Sequence, residues 1–269
     1  MYLKFYNLKE NPFSVTSDPS FLLMTKQHQE AFSHMLYGVK EKKGFLVITG
    51  EVGTGKTTLC KAFINHLNSN TKSAFIFNPD LLPSQLLRAI LTDLGIECKK
   101  VKTRFDLFDA LNSFLITQFS EGNNVVLIID EAQNLKPAVL EQIRMLSNLE
   151  TTKQKLFQIV LVGQPELKEK LDSPNLRQLR QRVAVTYHIN PLEQGEMREY
   201  ISHRLKIAGA AEQTICFTDD AIEKIYSCTK GIPRLVNILC DRSLLVGFVK
   251  EKNVINAEIV EIAKKELAL

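Results

Sequence analysis

The sequence predicts an α/β fold, with a parallel five-stranded sheet covered by helices on both faces and a smaller helical domain after it. Across residues 45–189, short apolar runs alternate with amphipathic stretches, which is the pattern of βα units. The run at 124–130, "NVVLIID", is apolar on both faces, as a strand inside a parallel sheet must be. We therefore expect an α/β core at 1–190, which opens with a lead-in segment at 1–43, and a helical lid at 191–269.

The individual elements follow from the hydrophobic pattern in chain order. The lead-in carries turn signals around Pro12 and Pro19, and then a helical pattern at 27–41. Strands are predicted at 45–49, 73–77, 124–130, 157–163 and 183–189, and helices at 56–67, 83–94, 105–119 and 136–149. Beyond residue 190 the sequence predicts only helices.

Composition places the chain among ordinary globular proteins. Of its 269 residues, 45% are hydrophobic and 24% are charged, and the net charge is +4. No apolar run reaches the roughly 18 residues that a membrane span needs, and the N-terminus lacks the features of a signal peptide. The five cysteines form no CxxC pair, which favours free thiols in a reducing cytosol over a disulfide framework or a metal site.

The segment "GEVGTGKTT" at 50–58 matches the phosphate-binding pattern G-x-x-x-x-G-K-[ST] and lies between a predicted strand and a predicted helix. Glycines allow the backbone to wrap around phosphate oxygens, and the helix N-terminus attracts the anion. We expect Lys56 to reach the β- and γ-phosphates of ATP, and Thr57 to bind Mg²⁺. The residues of this loop expected to contact the nucleotide are Gly50, Glu51, Val52, Gly53, Thr54, Gly55, Lys56, Thr57 and Thr58.

The second chemical signal is the pair Asp130–Glu131, at the carboxyl end of the buried strand, where ligands bind in open α/β sheets. We expect Asp130 to hold Mg²⁺ beside the nucleotide and Glu131 to orient and polarise the attacking water. A carboxylate at the second position favours an ATPase over a switch-type GTPase. The alternative is that the two carboxylates only cap the next helix.

Taken together, the phosphate loop, the Asp–Glu pair and the polar residues that follow resemble an AAA+ ATPase. The resemblance implies that Gln164 is sensor 1 and that Arg234, in "KGIPRLVN", is the sensor 2 arginine, which contacts the nucleotide from the lid. It also implies an arginine finger in "NLRQLRQRVAV", for which Arg182 is our candidate, with Arg180 and Arg177 as alternatives. By the same resemblance, Asn78 is expected at the place of a residue that restrains the catalytic glutamate, and His28 is expected near the adenine. The implied catalytic residues are Glu131, Lys56, Gln164, Arg182 and Arg234.

Longer stretches, including "IIDEAQNL", "VGQPEL" and "GIPRLVN", resemble the general secretion pathway protein A family of type II secretion and related pilus-biogenesis ATPases. That resemblance implies an ATP-dependent homo-oligomer at the cytoplasmic face of the inner membrane, acting with an inner-membrane partner protein. Larger members continue into a membrane span and a peptidoglycan-binding domain. Neither follows here, so we expect either the cytoplasmic part of such a protein or a stand-alone member.

Two other functions stay open at this point. Transposition target-selection ATPases share "DEAQ" and a short lid, and they would bind DNA, although the mild net charge argues against a nucleic-acid partner. A nucleotide-dependent scaffold that rarely hydrolyses ATP is the other alternative.

Overall fold

The structure, a computed structural model, describes residues 2–77, 80–97, 103–152, 154–211 and 214–267. Its strands are β1 Phe45–Gly50, β2 Thr71–Ile76, β3 Asn124–Ile129, β4 Gln158–Gly163, β5 Val183–Ile189, β6 Cys216–Phe217 and β7 Val254–Ile255. Its helices are α1 Tyr2–Phe5, α2 Lys26–Lys40, α3 Lys56–His66, α4 Pro83–Asp93, α5 Arg104–Ser120, α6 Pro137–Leu146, α7 Pro165–Asp172, α8 Arg177–Arg180, α9 Met197–Ile207, α10 Asp219–Thr229, α11 Pro233–Val249 and α12 Ala257–Leu267.

The contacts divide the chain into two compact units. One, the sheet unit, comprises 29–50 and 60–189, and the other, the helical unit, comprises 1–28, 51–59 and 190–269. The helical unit includes the lead-in and the phosphate loop as well as the C-terminal helices. The division into a core at 1–190 and a lid at 191–269 stays a prediction.

The sheet unit contains the predicted parallel five-stranded sheet, in the order β2-β3-β4-β1-β5. Every residue of β1 and β4 is buried, because helices cover both faces of the sheet centre. On one face, Phe45, Val47 and Leu127 pack with apolar residues of α4, α5 and α6. Strand β5 alternates between partly buried and exposed residues, as expected at a sheet edge. The predicted fold class is confirmed.

The helical unit has its own apolar core, which includes residues of the lead-in. Tyr6 is fully buried, and its hydroxyl donates to the carbonyl oxygens of Leu244 (3.2 Å) and Lys252 (2.9 Å). Arg204 of α9 donates from Nη2 to the Ser14 carbonyl at 2.9 Å, and its guanidinium lies 4.8 Å from the Phe21 ring centroid. The lead-in is therefore an ordered part of this unit, because buried hydrogen bonds and ring packing hold it there.

The expectation of helices alone beyond residue 190 is wrong. Cys216–Phe217 and Val254–Ile255 pair as two parallel strands, β6 and β7. Thr218 extends the pairing, since its N–H donates to the Ile255 carbonyl at 3.0 Å. A two-residue strand is too short to show an alternating pattern, so the sequence carries no periodic signal for it. None of the helices in the described ranges has the combination of length and apolar character that a bilayer crossing requires.

Candidate functional site

The phosphate loop joins β1 to α3, as predicted. Gly53 and Gly55 have φ angles of +85° and +92°, a backbone region that other residues rarely adopt. Lys56 is buried and is the first residue of α3, and its ammonium donates to the Glu51 carbonyl at 2.8 Å. The loop therefore has the backbone form and the cation that a phosphate-binding loop requires.

The imidazole of His28 contacts the phosphate loop from the lead-in. His28 is buried, and its Nε2 lies 3.0 Å from the Thr54 carbonyl oxygen, while Nδ1 lies 2.8 Å from Thr25 Oγ1. Because a carbonyl oxygen can only accept, Nε2 carries the proton, and Nδ1 accepts from the threonine hydroxyl. Burial lowers the pKa of His28, which favours this neutral form. The ring therefore holds the backbone of the loop, a contact that the sequence did not predict.

Replacing His28 should weaken ATP binding without abolishing it. We expect His28→Ala to raise the Kd for ATP roughly fivefold, because one hydrogen bond worth about 1 kcal/mol no longer holds the loop. Titration with a fluorescent ATP analogue measures this. His66→Ala, an exposed histidine on α3, is the control and should bind like the parent. An unchanged Kd in His28→Ala would contradict a loop-holding role.

Arg234 lies against the same loop, within the helical unit. Its backbone N–H donates to the Gly53 carbonyl at 3.2 Å, and a Cβ added at Gly53 would lie 2.6 Å from Arg234 Cβ. The guanidinium is exposed and forms no hydrogen bond or ion pair with any residue that the structure describes. The residue is thus next to the phosphate loop with a free cation, and its role toward the nucleotide stays a prediction.

In the sheet unit, Asp130 and Glu131 follow β3 directly. Asp130 is fully buried, and its Oδ1 accepts from the Glu131 N–H at 2.9 Å. Glu131 has φ 52° and ψ 36°, a left-handed conformation that costs a non-glycine residue roughly 1 kcal/mol or more. Its side chain forms no capping hydrogen bond with the short 3₁₀ helix Ala132–Asn134 that follows. Helix capping therefore does not explain the position of this carboxylate.

Glu131 is instead joined to Gln164, the residue that follows β4. Gln164 Nε2 donates to Glu131 Oε2 at 3.2 Å, so the predicted water-activating carboxylate and the predicted sensor amide are in contact. The same oxygen accepts from Gln133 Nε2 at 2.5 Å, a contact that sequence reasoning missed. The signal available was the glutamine of "DEAQ", two residues after Glu131. Asn78, predicted to restrain Glu131, lies outside the described residues.

The three candidate finger arginines have different surroundings in the sheet unit. Arg182, the candidate from the sequence, donates from Nη1 to Ser147 Oγ at 2.7 Å. Arg180 forms an ion pair with Asp172 at 3.3 Å, and Arg177 is exposed and unpaired within the described ranges. Arg182 would have to leave Ser147 to reach another subunit, whereas Arg177 would not. The assignment of the finger stays a prediction.

The chain is similar to a known domain family and to curated proteins. An AAA domain family matches residues 39–171. General secretion pathway protein A of Aeromonas hydrophila is 40% identical over 268 residues, which cover 100% of this chain and 49% of that protein. The ClpA homologue of Guillardia theta, the ATP-binding subunit of an ATP-dependent Clp protease, is 25% identical over 47% of this chain and 18% of its own length. The chain therefore spans about half or less of these relatives.

Solved structures with little sequence identity share the fold. The Aeropyrum pernix ORC2 protein superposes with a TM-score of 0.69 at 14% identity, over 96% of this chain and 71% of that one. The Thermotoga maritima RuvB branch migration motor superposes with a TM-score of 0.61 at 21% identity, over 90% and 69% of the two chains. At these identities the likeness extends to the fold alone.

Proposed function

We propose that this chain, which belongs to the AAA+ family of general secretion pathway protein A, is a Mg²⁺-dependent ATPase that drives assembly of a cell-envelope machine. The observation that carries the enzymatic part is the contact between Glu131 and Gln164 at the ends of two neighbouring strands. The carboxylate of Glu131 accepts from two side-chain amides, and its backbone is left-handed, a strained conformation of the kind that clusters at active sites.

The loop residues are the ones proposed to bind ATP. The N–H groups of the glycine-rich turn and the N-terminus of α3 suit phosphate oxygens, and Lys56 adds a cation at the same place. Thr57, which follows Lys56 on α3, and the buried carboxylate of Asp130 offer hard oxygen atoms that suit Mg²⁺. Mg²⁺ would supply charge neutralisation on the β- and γ-phosphates. Arg234, with its exposed guanidinium, would add a positive charge from the lid.

Glu131 is proposed to act as the general base. Its Oε2 accepts from the two glutamine amides, whereas Oε1 accepts no hydrogen bond from the described residues. Oε1 is therefore the atom available to orient a water molecule and take its proton, as general-base assistance requires. The Gln164 amide carries a second N–H, which can donate to the γ-phosphate or the water.

The biological role rests on the relative named general secretion pathway protein A, of which this chain spans about half. We propose that the chain works at the cytoplasmic face of the inner membrane, with an inner-membrane partner protein. The work would be assembly of a type II secretion secretin or a type IV-like pilus. ATP hydrolysis would supply the energy for that assembly.

Activity is proposed to need an oligomer, because each subunit would supply an arginine to its neighbour. Specific ATPase activity should therefore rise with protein concentration. Loss of the finger should cost on the order of a thousandfold in turnover while ATP affinity is kept. Phosphate release by Arg182→Ala, Arg180→Ala and Arg177→Ala measures which residue acts. Arg198→Ala, which removes an exposed arginine paired with Asp219, is the control.

Mixing variants tests whether the arginine acts between subunits. Lys56→Ala and the inactive finger variant should each fail alone, but their mixture pairs an intact loop with an intact arginine, so activity should partly return. Concentration-independent turnover, together with mixtures that stay inactive for all three arginines, would rule out a shared site.

A further inference from the structure

The side chain of Gln133 links the two groups to which the proposed function assigns catalytic roles. Its Nε2 donates to Glu131 Oε2 at 2.5 Å, and its Oε1 accepts from the backbone N–H of Gln164 at 3.1 Å. Because the backbone N–H can only donate, the oxygen of the Gln133 amide must face it, and the NH₂ group must then face Glu131. Both ends of the amide are therefore used, and its orientation is fixed.

The turn that carries Gln133 is itself anchored. The Lys170 ammonium of α7 donates to the Gln133 carbonyl and, at 3.0 Å, to the Leu135 carbonyl. Asn134 N–H donates to the Glu131 carbonyl at 2.9 Å. Gln164 is the N-cap residue of α7, so the helix that holds the turn also begins at the sensor amide. The distance between Gln133 and Gln164 is thus set from both sides.

The end of β4 is shaped to admit this amide. A Cβ built on Gly163 would lie 2.7 Å from Gln133 Oε1 and 3.0 Å from Leu167 Cδ2. Because Gly163 has no side chain, the amide of Gln133 packs in the space that a side chain would fill. Any larger residue there would have to displace the amide or the leucine.

We propose that Gln133 is a positioning residue that sets the orientation of the Glu131 carboxylate relative to Gln164. This rests on the proposed ATPase function. By occupying Oε2, Gln133 leaves Oε1 as the proton-accepting oxygen, and by bonding to the Gln164 backbone it ties the carboxylate to the sensor. Gln133 touches neither nucleotide nor water in this role. Its loss should change turnover and leave ATP binding alone.

Two substitutions separate positioning from simple packing. Gln133→Met keeps the volume and removes both hydrogen bonds, so kcat should fall about tenfold or more, as for a lost bond to a charged group, with KM unchanged. Gln133→Glu keeps an oxygen for the Gln164 N–H but sets a second carboxylate against Glu131. Repulsion between the two carboxylates should turn Glu131 away from this contact, so kcat should fall at least as far as in Gln133→Met, with KM unchanged.

Gln118→Met is the matched control. Gln118 also donates to a glutamate, Glu121 at 3.0 Å, and accepts from Asn123 at 2.9 Å, but on α5, away from these residues. Its kcat and KM should equal those of the parent. Melting temperatures of all variants identify any loss of fold, and the dependence of the Gln133→Met effect on Glu131 is a readout that loss of packing would not give.

The measurement is steady-state phosphate release by the whole chain, with ATP affinity measured in parallel. Parent-like kcat in both Gln133→Met and Gln133→Glu would overturn the positioning role, as would a tenfold rise in KM at constant kcat. In a Glu131→Gln background, Gln133→Met should cause no further loss. If Glu131→Gln itself hydrolyses ATP like the parent, the general-base role assigned to Glu131 in the proposed function has failed; if only the Gln133 variants do, this inference alone has failed.

Discussion

Glu131→Gln should bind ATP as tightly as the parent and hydrolyse it about a hundredfold more slowly, or slower still. The substitution keeps the shape of the side chain but removes its negative charge, so the side chain is no longer basic enough to take the proton from water, and general-base assistance typically contributes about 10²–10⁴-fold. Nucleotide binding should be unaffected, because the phosphate contacts are assigned to the loop at 50–58. The two effects therefore separate chemistry from binding.

Phosphate release and ATP affinity, measured on one preparation, test this expectation. Glu121→Gln is the matched control, because the Glu121 carboxylate also accepts from a glutamine amide, that of Gln118. It should retain full turnover. Loss of binding and hydrolysis together in Glu131→Gln would make Glu131 a structural or metal-holding residue, and parent-like turnover would leave it without a catalytic role.

Lys56→Ala should lose most of its ATP affinity and, with it, hydrolysis. A hydrogen bond to a charged group is worth about 1.5–3 kcal/mol, so losing it should weaken binding by roughly ten- to a hundredfold. The loop backbone should persist, since Gly53 still accepts from the Arg234 N–H and Thr54 still contacts His28.

Affinity and thermal melting measured together test the Lys56 prediction. The comparison variant is Lys61→Ala, which removes the lysine five residues further along α3 and should bind ATP normally. Unchanged ATP affinity in a folded Lys56→Ala would refute the assignment of the loop, and a large fall in melting temperature would make the lysine structural.

Much of the fold could be predicted from the sequence, because the patterns that indicate it each lie within one short segment. The central strands are continuous apolar runs, and the strand ends fall within two residues of the prediction. The phosphate loop was readable for the same reason, since its glycines, lysine and threonine lie at fixed spacing in one segment. Pro83, Pro137 and Pro165 each occupy the first turn of a helix, as the backbone of proline favours.

The parts of the fold and of the site that the sequence did not predict depend on contacts between distant segments. The pairing of β6 with β7 joins residues almost forty positions apart, and a two-residue strand has no sequence pattern that predicts the pairing. The packing of Tyr6 and Arg204 assigns the lead-in to the helical unit through side-chain bonds that periodicity does not encode. The bond from Arg182 to Ser147, which bears on the choice of finger, is equally invisible in the sequence.

Gln133 is an intermediate case. Its place two residues after Glu131 was visible, but its function depends on a turn whose first residue is left-handed and on Gly163, thirty residues later. A sequence pattern gives the order of these residues, and only the folded chain gives the distance between their atoms.

The most direct test of the account is release of phosphate from ATP by the purified chain, with Mg²⁺ or with a chelator, beside Lys56→Ala purified in the same way. The account predicts phosphate release that requires Mg²⁺, rises in specific activity with protein concentration, and falls to background in Lys56→Ala. Phosphate release by the parent no faster than by Lys56→Ala across that concentration range would contradict it.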